Sequence, residues 1–92
     1  MHLEIVSPEA TLFEGEVISV TVPGLNGEFQ VLNNHAPIVS LLQEGLVKIG
    51  GEISIDEEHE AKFKKAPDGK MTLSITSGTM EMNDNKVIVL VD

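Results

Sequence analysis

The sequence predicts an all-β domain, a sandwich or barrel of many short strands. Apolar residues recur at every second position, the spacing that gathers them on one face of a strand. Turn-forming residues interrupt this alternation at short intervals, among them Pro23-Gly24, Asn26-Gly27, Asn33-Asn34, Gly50-Gly51, Pro67-Asp68-Gly69 and Asp84-Asn85. No linker, low-complexity tract or internal repeat divides the 92 residues, so one domain over 1–92 is expected.

In chain order, the stretch 16–22 sets Ile18, Val20 and Val22 on one face and Ser19 and Thr21 on the other. Phe29 and Val31 then point inward while Glu28 and Gln30 point out. Gly50-Gly51 separates Val47-Lys48-Ile49 from Ile53-Ser54-Ile55 and predicts a tight hairpin. Residues 56–65 form the polar outlier, opening on Asp56-Glu57-Glu58. Their two-fold rhythm places His59, Ala61 and Phe63 opposite Glu58, Glu60, Lys62 and Lys64, which predicts the protruding end of a long hairpin. A short helix is the alternative, because Glu, Ala and Lys also favour helices. Ala66-Pro67-Asp68-Gly69 suits a type I turn: Pro67 presets φ, and Gly69 tolerates the positive φ that follows. Met71, Leu73 and Ile75 alternate with Thr72, Ser74 and Thr76. Val87–Val91 is a continuous apolar run, the pattern of a strand covered on both faces.

Composition excludes several function classes. Fifteen acidic against six basic residues give a net charge of −9, a field that repels DNA and RNA. With no Trp or Tyr, the stacking platforms used for single strands or sugars are missing too. The absence of cysteine removes disulfides and thiolate chemistry and points to a reducing compartment. Met-His-Leu-Glu at the start has no signal-peptide pattern, and no apolar run approaches the roughly 20 residues of a membrane span. A soluble protein is expected.

Motifs for chemistry are thin. Pro23-Gly24-Leu25-Asn26-Gly27 lacks the lysine and the following helix of a phosphate loop, and neither G-x-S-x-G nor H-E-x-x-H occurs. On a strand His59 would share its side with Glu57 rather than Glu58 or Glu60, too few donors for zinc, and His2 lies near a terminus. No catalytic, cofactor or metal residue is assigned. His35, in the loop Asn33-Asn34-His35-Ala36-Pro37, is either a turn residue bonding to backbone or part of a contact surface.

Four segments carry a family resemblance. The run from Gly27 to Pro37, Gly-Glu-Phe-Gln-Val-Leu-Asn-Asn-His-Ala-Pro, resembles the G-E-x-x-(V/I)-(L/Y)-x-x-H-A-P signature of F-type ATP synthase epsilon subunits. Leu42, Gly45 and Val47-Lys48-Ile49 follow at the family's spacing. The opening Leu3-Glu4-Ile5-Val6-Ser7-Pro8-Glu9, with Phe13-Glu14-Gly15, and the ending Thr76-Ser77-Gly78 through Leu90-Val91-Asp92 are similar as well. Two departures stand out within the span: the charged stretch 56–70 is long, and Thr79 replaces a usual second glycine.

The resemblance implies a flattened antiparallel sandwich of roughly ten short strands, non-catalytic and without a cofactor. Its implied partners are the gamma subunit and the c-ring of the synthase, at the cytoplasmic face of a bacterial plasma membrane. By position, Glu28 corresponds to a c-ring contact, where a carboxylate would accept charge-assisted hydrogen bonds from arginine. His35, Val39 and Ser40 correspond to positions at or near the gamma interface. The loops 24–28 and 33–37 are expected to cluster as one contact edge. Longer members continue past the position of Asp92 into a helical hairpin linked to regulation, so the sandwich alone is expected to lack that property. A free-standing ligand-binding module and a small enzyme are the competing classes, and the missing aromatic platforms and motifs speak against each.

Overall fold

The computed structural model describes residues 1–92. Ten strands follow one another: β1 (His2–Val6), β2 (Thr11–Glu16), β3 (Ser19–Gly24), β4 (Gly27–Leu32), β5 (Ile38–Leu42), β6 (Gly45–Gly50), β7 (Phe63–Lys65), β8 (Met71–Ile75), β9 (Gly78–Asn83) and β10 (Lys86–Val91). A single 3-10 turn, Glu60–Lys62, precedes β7. The all-β expectation holds.

The strands form two five-stranded halves. One runs β2-β1-β10-β9-β5, and the other β4-β3-β6-β8-β7. They are continuous only at Gly24, which pairs with Leu42. All pairs are antiparallel except β1 with β10, so the first strand enters beside the last in parallel. Alternation then builds the core between the halves. Leu3, Ile5, Val87, Val89, Met80 and Met82 come from one, and Val20, Val22, Val31, Val47 and Ile49 from the other, all essentially without solvent exposure. Each such side chain contributes about 1.5–3 kcal/mol by leaving water.

The turns follow their local chemistry. Gly69 lies at φ +90°, and its N–H donates to the Ala66 carbonyl at 2.9 Å, closing the expected turn between β7 and β8. Asp84 and Asn85 both take positive φ and join β9 to β10 in two residues, as tight hairpins require. Gly78 is needed for a different reason: a Cβ there would overlap the Leu90 carbonyl oxygen of the neighbouring strand.

Four expectations from alternation fail. Ile18 does not join Val20 and Val22; it is 69% exposed, because the chain bends between β2 and β3 and resets the parity. The strand covered on both faces is β3, where Ser19 and Thr21 are buried along with the valines. β10 instead alternates, leaving Leu90 half-exposed. No hairpin forms at Gly50-Gly51: β6 is paired by β3 on one edge and β8 on the other, so Ile53-Ser54-Ile55 has no edge to join and runs as loop. Of the expected hairpin arm 56–65 only Phe63–Lys65 forms, as β7 beside β8; residues 57–59 are turn, and of the helical alternative only the three residues Glu60–Lys62 are realised, as 3-10 helix.

Candidate interaction surface

The β3–β4 turn, Leu25-Asn26, projects beside the free edge of β5, and an open groove of about 450 Å³ lies between them. Glu28, Val39, Ser40, Leu25 and Leu41 are among its lining residues. Val39 and Leu41 share the outward face of β5 and are 72% and 60% exposed. Ser40 takes the opposite, half-buried side, and its hydroxyl donates to the Leu41 carbonyl at 3.1 Å. A second open groove continues past Leu25 and Leu41 to Leu90, across β9. The result is an apolar strip of Leu25, Val39, Leu41 and Leu90, each about half exposed or more.

Glu28 opens β4 opposite Pro23. Its carboxylate meets Lys48 Nζ at 3.0 Å, reaching across β3 to β6, and remains half-exposed. Lys48 is a partner that sequence reasoning missed, because strand register decides it and no local signal marks it. Leu25 and Leu90 were missed as well. For Leu25 a signal existed, an apolar residue at the tip of a two-residue hairpin.

His35 stands apart from that groove. Loops 24–28 and 33–37 lie at opposite ends of β4, separated by the length of a six-residue strand, roughly 17–20 Å. They do not form one edge, because a strand connects them rather than a turn. His35 is exposed, with Nδ1 2.7 Å from the Ala36 carbonyl oxygen. A carbonyl only accepts, so Nδ1 carries the proton. The loop is tied down by the Met1 amino group, which donates to Asn33 Oδ1 at 2.9 Å, and by the Asn34 N–H, which donates to Asn85 Oδ1 at 2.7 Å.

The remaining histidines also depart from expectation. His59 faces Glu58, 3.6 Å away, and not Glu57, since the segment turns instead of extending. His2 is not frayed: it lies in β1 with its ring between Glu14 and Glu16 of β2. Glu16 has its pKa lowered by the hydrogen bond from His2 and, next, by that from the Met1 amino group.

A β-sandwich with shallow, open grooves and an exposed apolar strip offers surfaces for contact and no enclosed pocket among those described. Comparison with known proteins gives the family. Residues 1–92 match the model of the family described as "ATP synthase, Delta/Epsilon chain, beta-sandwich domain". The chain is 41% identical over 92 residues to the ATP synthase epsilon chain of Campylobacter fetus subsp. fetus, covering all of this chain and 60% of that relative. It is 38% identical over 90 residues to the epsilon chain of Chlorobaculum tepidum, covering 98% and 86%. The chain belongs to the ATP synthase delta/epsilon family, by its β-sandwich domain.

Solved structures agree on the fold. A chain in an assembly of the Euglena gracilis mitochondrial ATP synthase that includes the c-ring superposes with a TM-score of 0.71 at 21% identity, covering 97% of this chain and 48% of that one. A chain of the central stalk and c-ring of the Tetrahymena thermophila mitochondrial ATP synthase gives 0.67 at 18%, covering 98% and 61%. The chain spans about 60% of the length of the Campylobacter relatives it matches.

Proposed function

We propose that this sandwich is a non-catalytic connector of the central stalk of an ATP synthase, joining the gamma subunit to the c-ring and so coupling ion translocation to ATP synthesis. The observation that carries the proposal is the strip of Leu25, Val39, Leu41 and Leu90 beside Glu28, on a body whose interior is packed with aliphatic side chains. Such a body transmits force without chemistry of its own. The apolar face of β5, Val39 with Leu41, packs on gamma, flanked by Ser40 on the other face of that strand and by His35 in the loop that leads into it. Glu28, at the turn end, meets the polar loops of the ring. Its ion pair with Lys48 means that a basic ring loop exchanges partners with Lys48 rather than finding a free carboxylate. The placement is peripheral, at the cytoplasmic face of the membrane; no helix is long and apolar enough to cross one.

The test is co-elution with the cognate gamma subunit at micromolar concentration, comparing the chain with a Val39→Asp, Leu41→Asp double variant. The chain is expected to co-elute. The variant is expected to bind at least tenfold more weakly, about 1.4 kcal/mol, since two anchors lose their apolar contact. Their outward position keeps the fold's own stability within about 0.5 kcal/mol. Failure of the unmodified chain to co-elute, or equal binding by the variant, overturns the proposal.

A further inference from the structure

The strand register places metal-ligating groups together at the opposite rim from the groove. On β1, His2 and Glu4 project from the same face, two residues apart; on β2, Glu14 and Glu16 do the same. Antiparallel pairing sets Glu4 directly across from Glu14 and His2 across from Glu16. His2 Nε2 comes to 3.2 Å from Glu14 Oε2 and 3.9 Å from Glu4 Oε1, and one donor atom from each of the three residues lies within 4.8 Å of the others.

We propose that His2, Glu4 and Glu14 form a site for a divalent transition metal of the zinc class. Zinc bonds of about 2.0–2.1 Å to nitrogen and oxygen in a tetrahedron put neighbouring donors about 3.3 Å apart. The His2–Glu14 spacing already meets that value, the metal taking the place of the hydrogen between Nε2 and the carboxylate, which leaves to solvent; the mostly buried Glu4 carboxylate closes the remainder by a side-chain shift. The second ring nitrogen is accounted for: Nδ1 lies 3.2 Å from Glu16 Oε2, the carboxylate–histidine arrangement that fixes the ring and directs Nε2 at a metal. Two carboxylates and one imidazole offset a dication's charge and leave a fourth position for water. The imidazole selects zinc, cobalt, nickel or copper over magnesium and calcium. Lys86 Nζ, 3.3 Å from Glu4 Oε1, competes as the resident cation, so metal entry displaces it from that oxygen.

The experiment titrates zinc and cobalt(II) into the folded chain, free of any tag at its start, by calorimetry and by the visible spectrum of cobalt. One metal per chain is expected at micromolar affinity, with the intense cobalt bands of tetrahedral coordination and a rise in thermal midpoint on adding zinc. His2→Gln abolishes all three readouts. Glu16→Gln weakens binding about tenfold through ring orientation alone. His59→Gln, which alters the histidine beside the acidic turn, leaves them unchanged. Midpoints measured without metal confirm that each variant folds. Binding that needs millimolar metal, that survives His2→Gln, or that is lost with His59→Gln overturns the site, as does equal affinity for magnesium.

Discussion

β3 and the segment 51–62 begin from the same kind of sequence and end in opposite states. Ser19-Val20-Thr21-Val22 and Ile53-Ser54-Ile55 both alternate apolar with polar residues. In β3 both edges are paired, by β4 on one side and by β6 and then β5 on the other, and all six residues are buried. Ile53 and Ile55 are half-buried against the core, on backbone that belongs to no ladder. Alternation makes a stretch able to be a strand. A free edge decides whether it becomes one, and β6 has none to offer.

The largest expected effects lie in the ladder. Ile49→Ala, on β6 opposite Val20, empties a site with no solvent exposure and costs about 2–5 kcal/mol. A 92-residue domain holds only about 5–14 kcal/mol in all, so this variant approaches unfolding. Ile53→Ala, in the loop, costs about 1 kcal/mol, because neighbours and water fill the space. Urea unfolding of the two variants measures the gap, and equal losses would remove the distinction between the regions.

Glycines sharpen the same contrast. At Gly78 an added Cβ meets the Leu90 carbonyl oxygen, a backbone atom held in the β9–β10 ladder. Gly78→Ala therefore costs about 1–3 kcal/mol by overpacking. Gly69 has nothing within 4 Å of such a Cβ, only a positive φ of 90°. Gly69→Ala costs about 1 kcal/mol of local strain. Thermal midpoints should fall in that order.

The difference also explains what was legible. The Pro67-Asp68-Gly69 turn was readable because its chemistry is contained in four residues. The inward set Met71, Leu73 and Ile75 was readable because one alternating run sufficed. The double burial of β3, the exposure of Ile18 and the loop at 51–55 were not, because each depends on which strands claim which edges. At the surface, Glu28, His35, Val39 and Ser40 were legible only as positions within a resemblance. The Glu28–Lys48 pair and the His2 cluster arise from registers between strands that no local pattern specifies.

Charged side chains extend the comparison at lower energy. Lys48, in the paired region, bridges β6 to Glu28 across β3, whereas Lys62, Lys64, Lys65 and Lys70 make no ion pair. Lys48→Met is expected to cost about 0–1 kcal/mol, the range of an exposed pair, and that cost shrinks in high salt. Lys64→Met should be neutral at every salt concentration. A salt-dependent loss at Lys64 would show that the charged stretch is tied down after all.

The smallest effect belongs to Glu16, at the rim of the other half, and its sign follows from the hydrogen bonds it accepts. His2 and the Met1 amino group lower its pKa in the folded chain, so at mildly acid pH the unfolded chain binds more protons. The stability that Glu16 contributes is fully present above the ordinary glutamate range, about pH 4.3, and is lost as pH falls through its lowered folded value. Glu16→Gln should therefore lower the urea midpoint at pH 7, and the gap should close as pH falls below the ordinary glutamate range. Because the group is exposed, salt should narrow the gap at neutral pH as well. A gap that stays constant with pH would mean that the carboxylate contributes through packing rather than charge, and that β2's edge is held by its ladder with β1 alone.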